Sequence, residues 1–410
     1  MAKETLDFNK TPSANRIHIS FFGKRNAGKS SVVNAVTGQN LAIVSDIKGT
    51  TTDPVTKAME LLPLGPVVIT DTPGVDDTGV VGEMRVDKTY QVLRKTDLAV
   101  LVVDNFVGIR QEDKALIETF REKKIPFLVV LNKVDLDMEA LIAHHDDPKY
   151  DFPWIKVSAL SGEGIEKLKE KIASLAAPLM EKAEAKKLIR DKIGPKDVVI
   201  LVTPIDDSAP KGRMILPQVQ TIRDILDGHG ICMVCQLEEL ESCLAALKEP
   251  PALVITDSQV FGPVKKLLPE EVMLTSFSIL FARFKRILDI AVTGARFVSQ
   301  LKEGDSVLIS EGCTHHRQCE DIGTVKLPGW IENFAGCKLH FEFTSGGQFP
   351  TEKELAKYAM VVHCGGCMLN EKEMIHRMDF ATKCKVPFTN YGTLIAHMNG
   401  ILNRSLEIFE

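Results

Sequence analysis

A glycine-containing loop between a short apolar strand and a helix is the feature that most constrains the fold of this chain. The loop, Gly23–Ser30, reads GKRNAGKS; it follows the apolar run Ile17–Phe22 and opens a helical stretch through Asn34. In this context glycines let backbone amides face phosphates, and the helix N-terminus adds positive potential. Lys29 then reaches the β- and γ-phosphates, where its charge assists catalysis, and the Ser30 hydroxyl is offered to Mg²⁺. The predicted nucleotide contacts in this segment are Gly23, Asn26, Ala27, Gly28, Lys29, Ser30 and Ser31.

Three later motifs fit the same site and specify the base. Asp71–Gly74 reads DTPG after an apolar strand, which brings a carboxylate near Mg²⁺ and a glycine amide near the γ-phosphate. Asn132–Asp135 reads NKVD, and its aspartate can accept two hydrogen bonds from guanine that adenine cannot donate. Ser158–Leu160 resembles the last guanine-contacting loop of such sites. The order of the motifs predicts GTP binding, with further contacts from Asp71, Gly74, Asn132, Lys133, Asp135, Ser158 and Ala159.

Apolar strands alternate with helix-length segments along the chain, which predicts a mainly parallel α/β fold covered on both faces. A long helix is expected over Lys167–Asp191, and Gly194-Pro195 then breaks the pattern. We expect three α/β domains, at 1–178, 179–260 and 261–410. The predicted strands are Ile17–Phe22, Pro66–Thr70, Leu98–Val103, Phe127–Leu131, Val198–Val202, Gly230–Cys235, Ala252–Thr256, Met273–Ile279, Ser306–Ile309, Lys338–Phe343, Met360–Val362 and Val386–Thr389.

The charge balance and hydropathy limit the possible partners. The 50 basic and 55 acidic residues give a net charge of −5, so there is no bulk reason to expect nucleic-acid or anionic-membrane binding. No run approaches the roughly 20 apolar residues that a membrane span needs. The charged N-terminus lacks the apolar core of a signal peptide. We therefore expect a cytoplasmic protein.

All nine cysteines follow residue 231, and clustered cysteines in a reducing compartment indicate metal or redox chemistry more than disulfides. Cys313-Thr-His315 is followed after 47 residues by His363-Cys364-Gly-Gly-Cys367. Both groups are expected just past the carboxyl ends of strands, where open α/β sheets place their ligands. Zinc and iron–sulfur clusters both fit these ligands. Cysteines interpreted as structural or outside the motif are Cys232, Cys235, Cys243, Cys319, Cys337 and Cys384.

In its nucleotide motifs the front third resembles the translation-factor-related GTPases, particularly the Era and tRNA-modification (MnmE-like) branch. The run Gly49–Asp53 looks like the switch I of that branch, which implies that Thr51, or alternatively Thr50, binds Mg²⁺. The residue after the DTPG motif is Val75, where Ras-like enzymes carry a glutamine that orients water, so another group must orient it here.

The same resemblance implies how the missing glutamine is replaced. Asn26 matches the asparagine with which potassium-activated members hold K⁺ beside the phosphates. Glu83 matches the water-orienting carboxylate of that branch and is assigned a catalytic role, with a solvated loop glutamate as the alternative.

The combination of this GTPase with Cys-x-His…His-Cys-x-x-Cys resembles the HydF family of iron–iron hydrogenase maturation GTPases over essentially the whole chain. The resemblance implies a homodimer built by 179–260 through an edge strand, and a 4Fe–4S cluster bound in 261–410 by Cys313, Cys364 and Cys367. It implies a scaffold that accepts a di-iron precursor made with radical-SAM maturases and delivers it to apo iron–iron hydrogenase. GTP, Mg²⁺, K⁺ and the cluster are the expected cofactors.

Three cysteines leave one iron of such a cluster without a thiolate. His315, His363 and Glu320 are the candidates for the fourth ligand, although a histidine could instead hydrogen-bond a cluster sulfur or orient a loop. Two other functions fit the sequence: a tRNA-modification-type GTPase with a structural zinc or cluster domain, and a GTP-dependent switch with inert cysteines. Iron and sulfide in anaerobically purified protein would distinguish the three.

Overall fold

A computed structural model of the 410-residue chain describes residues 13–39, 54–74, 80–136, 150–205, 214–312 and 322–410. These residues divide into two compact units, one ending at Ala185 and one running from Lys186 to Glu410. No helix within the described ranges is both long enough and apolar enough to cross a membrane.

The first unit is built on one six-stranded sheet. Its strands are β1 (Ile17–Phe22), β2 (Val55–Leu61), β3 (Gly65–Asp71), β4 (Leu98–Asp104), β5 (Phe127–Asn132) and β6 (Trp154–Lys156). They lie in the order β2-β3-β1-β4-β5-β6, and every neighbouring pair is parallel except the antiparallel pair β2 and β3. The helices among the described residues of this unit are Lys29–Thr37, Val80–Lys95, Gln111–Glu122 and Ile165–Glu184.

Strand β4 shows why this sheet is covered on both faces. Its sequence is apolar from Leu98 to Val103, and all of these residues are buried. Val100 and Val102 pack into one core cluster, whereas Leu101 and Val103 pack into another on the opposite face. A continuous apolar run is what a parallel strand needs when helices cover both sides, so the predicted α/β fold class is confirmed.

The second unit contains two four-stranded, fully parallel sheets with the same connectivity. Strands β7 (Val198–Val202), β8 (Ile231–Cys235), β9 (Leu253–Thr256) and β10 (Leu274–Ser276) form one, and β11 (Ser306–Ser310), β12 (His340–Thr344), β13 (Met360–His363) and β14 (Phe388–Asn390) form the other. Their orders are β10-β9-β7-β8 and β12-β11-β13-β14. In each sheet, therefore, the first strand lies between the second and the third.

Helices connect these strands and share one core between the two sheets. Val202 and Val254 of one sheet and Val307 and Val362 of the other belong to the same buried cluster. The helices of this unit are Leu216–Asp227, Leu240–Ala245, Phe261–Leu267, Phe277–Phe284, Leu288–Arg296, Leu327–Ala335, Glu352–Leu355, Glu371–Lys383, Tyr391–Met398 and Leu402–Leu406.

Some elements differ from the sequence prediction. Strand β2 was not predicted, and the predicted helix Lys167–Asp191 ends at Glu184. The predicted strand Met273–Ile279 is correct only over β10, because the Ser276 hydroxyl accepts a hydrogen bond from the Ile279 amide and starts a helix. Strand β10 belongs to the sheet of β7, although its residues follow the predicted domain end at 260.

Close packing of a helix on β14 generates a stability prediction. Gly294 is buried in the helix Leu288–Arg296, and a Cβ built there would lie 2.1 Å from the Phe388 carbonyl oxygen. We expect Gly294→Ala to lower the free energy of unfolding by about 1–3 kcal/mol, because backbone must shift to admit the methyl group. Urea unfolding followed by circular dichroism measures this.

The matched control is Gly329→Ala, in the helix Leu327–Ala335, where an added Cβ meets nothing within 4 Å. That substitution should leave stability unchanged or raise it by up to about 1 kcal/mol, because alanine is the better helix former. Equal effects of the two substitutions would contradict the close approach of helix and strand.

Candidate functional site

The predicted nucleotide residues lie beyond the carboxyl ends of parallel strands in the first unit. The phosphate loop follows β1, Asp71 ends β3, Asn132 ends β5, and Ser158 follows β6. Strand β1 lies between β3 and β4, so the strand order reverses at β1. Open α/β sheets bind their ligands in the crevice at such a point, outside the carboxyl ends of the strands.

The phosphate loop has a backbone that requires its glycines. Gly23 and Gly28 have φ angles of 138° and 86°, and Asn26 between them has a φ of 61°. A Cβ at Gly23 would lie 2.1 Å from the Val102 carbonyl oxygen, and one at Gly28 would lie 2.2 Å from Nδ2 of Asn132. Asparagine is among the few non-glycine residues that adopt this left-handed conformation readily. The motif is therefore fixed by packing as well as by its expected ligand.

Lys29 is the buried cation of the loop. Its Nζ donates hydrogen bonds to the carbonyl oxygens of Gly23, at 2.9 Å, and of Lys24, at 2.8 Å. These two bonds fix the ammonium group against the loop that is predicted to hold the phosphates.

Asp71 and Ser30 form an oxygen pair that suits a hard cation. The Ser30 hydroxyl donates to Oδ2 of Asp71 at 2.6 Å, while Oδ1 of Asp71 is buried and has no hydrogen-bond partner among the described residues. Burial raises the pKa of the Asp71 carboxyl above its ordinary value, although the Ser30 hydroxyl and the Lys29 ammonium act in the opposite direction. Mg²⁺ would use the unpartnered oxygen and offset the cost of burying the carboxylate, so these residues fit that ion.

Gly74 packs directly on the phosphate loop, because a Cβ there would lie 2.8 Å from the Arg25 amide nitrogen. Thr50, Thr51 and Val75 lie outside the described residues, as does the side chain of Glu83.

Asn132 connects the two loops that border the predicted base site. Its Nδ2 donates to the Ala27 carbonyl oxygen at 3.0 Å, and its Oδ1 accepts from the Ala159 amide at 3.1 Å. The asparagine thereby holds the phosphate loop and the 158–160 loop in register.

The remaining base-site residues are also fixed by polar contacts. Ser158 donates its hydroxyl to Oδ1 of Asp135, and Nζ of Lys133 pairs with Oδ2 of Asp104 at 2.8 Å. Asp104, at the end of β4, was not among the predicted site residues; its position at a carboxyl strand end was the available signal. Leu160, 85% exposed, follows as an apolar side chain at the edge of this loop.

In the second unit, two neighbouring strand ends bring the loop that carries Cys364 and Cys367 beside Gly312, the last described residue before Cys313. The Cys364 amide donates to the Ser310 carbonyl oxygen at 2.9 Å, and Sγ of Cys364 accepts from the amides of Gly312, at 3.1 Å, and Gly366, at 3.4 Å. Burial raises the pKa of the Cys367 thiol, whereas the nearby Lys285 ammonium lowers it. The loop after β13 thus lies against the chain that leads out of β11.

His363 points into the protein interior. Nδ1 lies 2.8 Å from the Cys364 carbonyl oxygen, and Nε2 lies 3.1 Å from Nη1 of Arg377. Since a carbonyl only accepts and a guanidinium only donates, the tautomer carries its proton on Nδ1. Full burial and the Arg377 charge lower the pKa of His363 to about 3, so the ring is neutral.

Arg377 and Glu373 were not predicted as site residues. Nε of Arg377 donates to Oε1 of Glu373 at 2.9 Å, and its Nη2 donates to the Gly346 carbonyl oxygen at 2.7 Å. The pair is buried, and nothing in the sequence pattern marks it beyond the i,i+4 spacing on a helix.

The cysteines outside the motif have structural surroundings in the described part of the chain. Cys232 and Cys235 pack against different core clusters, on opposite faces of their strand. Burial raises their pKa values to about 11 and about 12, Cys235 being affected also by Cys243. Cys337 lies 3.9 Å from the Leu301 carbonyl oxygen.

The rest of the predicted metal-binding residues are not among those that the structure describes. Cys313, His315, Cys319 and Glu320 fall outside the described residues. Within the residues that are described, no three His, Cys, Asp or Glu side chains come together as a metal site.

Comparisons with known proteins match the two units to different families. Residues 18–133 match a family model described as the 50S ribosome-binding GTPase. Residues 188–286 match the hydrogen maturase F dimerization domain, and residues 289–408 match the hydrogen maturase F tetramerization domain.

Individual relatives match only part of this chain. The tRNA modification GTPase MnmE of Chromobacterium violaceum is 37% identical over 161 residues, 39% of this chain and 34% of the relative. The corresponding protein of Clostridioides difficile is 39% identical over 156 residues, 37% of this chain and 33% of that protein. The chain thus spans about a third of the length of these relatives. A crystal structure of Aquifex aeolicus Era bound to GDP·AlF4⁻ shows 21% identity and a TM-score of 0.34 over 53% of this chain and 91% of that one.

The two hydrogen maturase F models are specific to one family, and together they cover more than half of the chain, behind a GTPase domain. This combination does not favour the tRNA-modification alternative. It also assigns oligomerization to the second unit. The chain therefore belongs to the hydrogen maturase F (HydF) family of hydrogenase maturation GTPases.

Proposed function

We propose that this chain is a cytoplasmic, GTP-hydrolysing scaffold that carries a 4Fe–4S cluster on Cys313, Cys364 and Cys367. It receives a di-iron precursor made with radical-SAM maturases and delivers it to apo iron–iron hydrogenase. The observation that supports this most directly is the hydrogen bond from the Gly312 amide to Sγ of Cys364.

That hydrogen bond involves the residue that precedes Cys313, the third proposed thiolate ligand. Cys313 is the next residue after Gly312, and consecutive Cα atoms are about 3.8 Å apart. Gly312, the residue that precedes Cys313 in the sequence, therefore lies beside Cys364, and Cys367 follows three residues further along the same loop. Amide hydrogen bonds to sulfur, such as those from Gly312 and Gly366, are a means by which proteins stabilise cluster thiolates.

The contacts of His363 bear on the fourth ligand. Both of its ring nitrogens are engaged, one with the Cys364 carbonyl and one with Arg377. A metal would have to break one of these bonds and draw a buried ring out of the core. We therefore propose His315 or Glu320 as the fourth ligand. We propose that His363 orients the loop after β13 that carries Cys364 and Cys367, the cysteine loop. A fourth position without thiolate supplies an iron whose ligand exchanges readily, which suits a carrier.

Serine substitution of the loop cysteines tests the cluster. We expect anaerobically reconstituted wild-type protein to be brown and to contain iron and sulfide. Cys364→Ser and Cys367→Ser should lose most of the iron, because a thiolate ligand is removed, while the matched variant Cys337→Ser should keep it. Iron and sulfide analysis with EPR spectroscopy measures this. A colourless, zinc-containing wild-type protein, or full iron content in Cys364→Ser, would contradict the proposal.

For GTP hydrolysis we propose that Ser30, Asp71 and Thr51 hold Mg²⁺ and that Lys29 neutralises charge on the β- and γ-phosphates. Asp135 reads guanine, and Glu83 orients the attacking water. Held by these residues, Mg²⁺ would supply the charge stabilisation that phosphoryl transfer requires.

Asn26 is the residue that we propose to bind K⁺. It is exposed at the turn of the phosphate loop, and its left-handed backbone is compatible with asparagine. We expect K⁺ to accelerate GTP hydrolysis at least about tenfold over Na⁺, a difference of about 1.4 kcal/mol in activation free energy. Asn26→Ala should lose this acceleration, and its rate in Na⁺ is the internal control for the effect of alanine on the left-handed backbone of the loop. A variant that still responds to K⁺ would show that the ion binds elsewhere.

We propose that the three predicted divisions of the chain, 1–178, 179–260 and 261–410, serve hydrolysis, dimerisation and cluster binding. Dimerisation is supported by β8, the last strand of its sheet in the described part of the structure. Exposed Ile231 and Val234 lie on this strand. The Ile231 amide and the Cys235 carbonyl bond towards β7, so by alternation the backbone groups of Val234 point away from the sheet. A second copy can pair with these groups across a two-fold axis.

A proline at the outward position tests this interface. Val234→Pro removes an amide that faces away from β7, so the sheet should survive while pairing with a second copy is lost. We expect size-exclusion chromatography with light scattering to give half of the wild-type mass. The matched variant Val234→Thr keeps the amide and should keep the wild-type mass. An unchanged mass in Val234→Pro would exclude β8 as the dimer edge.

A further inference from the structure

Lys285 is a buried cation in contact with the cysteine loop. It follows the helix Phe277–Phe284, it is 3% exposed, and its Nζ donates to the carbonyl oxygens of Gly366, at 2.8 Å, and Leu369. It is separated from Cys364 by 79 positions and lies in the segment matched to the dimerization domain, whereas the loop lies in the segment matched to the tetramerization domain.

Among the described residues, no carboxylate pairs with Lys285. Glu371, the first acidic residue after Cys367 in the sequence, is paired with Lys186 and Arg286. Glu373, further along that helix, is paired with Arg377. Within the described ranges, the hydrogen-bond partners of the Lys285 ammonium group are thus two backbone carbonyls and no carboxylate.

Burying an ammonium group without an anion is costly, typically several kcal/mol. Burial accordingly lowers the pKa of Lys285 to about 8, and the groups that favour its charged form are Cys367 and Cys364. As neutral thiols these residues offer the ammonium group little. As metal-bound thiolates they would supply the missing negative charge.

We propose that Lys285 is a positioning residue of the cysteine loop: it holds the loop through two carbonyls and supplies the positive charge that balances an anionic iron–sulfur centre on Cys364 and Cys367. This inference depends on the cluster proposed above. Lys285 is not a cluster ligand, because two of its three N–H donors are committed to backbone carbonyls and an ammonium group has no lone pair.

Two substitutions of Lys285 distinguish its hydrogen bonds to the loop from its positive charge. Lys285→Met removes both the donors and the charge, and it should weaken iron binding on the order of 10- to 100-fold, as loss of an outer-sphere partner does. Lys285→Gln keeps an amide donor but removes the charge. It should retain a cluster whose midpoint potential is lower than in the wild-type protein, because the reduced, more negative state loses its counter-charge.

Arg286→Met is the matched control. Arg286 is the adjacent cation, its side chain is 59% exposed, and its Nε lies 3.4 Å from Glu371. Because solvent screens this charge, iron content and midpoint potential should both remain at wild-type values. The measurements are iron and sulfide per chain after anaerobic reconstitution and an EPR-monitored redox titration, with circular dichroism of each apo variant.

These measurements distinguish a failure of the role proposed for Lys285 from a failure of the cluster proposal. If wild-type protein takes up no iron and sulfide, the cluster proposal itself fails. If wild-type protein binds the cluster but Lys285→Gln has the wild-type potential, or Arg286→Met shifts the potential equally, the role of Lys285 is excluded. A Lys285 variant that is unfolded without metal would also overturn it, because the lysine would then be required by the fold and not by the cluster.

Discussion

Parallel strands that end at a common edge are the constraint on which both sites depend. In a parallel sheet connected by helices, all strands run in the same direction. Residues far apart in sequence therefore meet just beyond the carboxyl ends of neighbouring strands. Lys29 and Asp71 meet in this way after β1 and β3, and Gly312 and Cys364 after β11 and β13. Glycines then let the backbone approach closely, as at Gly23 against β4. The chemistry of each site comes from the side chains at this edge, because the architecture itself is general.

The two sheets of the second unit illustrate that distinction. Both are fully parallel, and in both the first strand lies between the second and the third. At equivalent strand ends, however, one sheet carries Thr203 and Asp257, whereas the other carries Glu311 and Cys364. The Asp257 side chain caps the short turn after its strand by accepting from Gln259. The same fold therefore supports an ordinary helix start in one sheet and a sulfur-bearing loop in the other.

The sequence was most informative where a motif is compatible with only one backbone conformation. The phosphate loop and the fold class could be predicted, because glycine spacing and continuous apolar strands leave few alternatives. Strand β2 could not, since it is an antiparallel edge strand whose mostly exposed residues show no apolar run. The apolar stretch around Ser276 divides into strand and helix through a cap that periodicity does not reveal. The orientation of His363 depends on Arg377 from a later helix, and Lys285 reaches the loop across 79 positions, so tertiary packing decides both.

The peptide groups of the cysteine loop have their carbonyls bonded to donor side chains and their amides directed at a sulfur. On its inner side, carbonyl groups meet donors: the Cys364 carbonyl meets His363, and those of Gly366 and Leu369 meet Lys285. On the sulfur side, amides of Gly312 and Gly366 point at Sγ of Cys364. Negative ends of peptide dipoles thus face away from the sulfur and positive ends face towards it. Such an arrangement stabilises negative charge on the sulfur and would contribute little to a neutral thiol buried for packing alone, because a thiol gains far less from donated hydrogen bonds than a thiolate does.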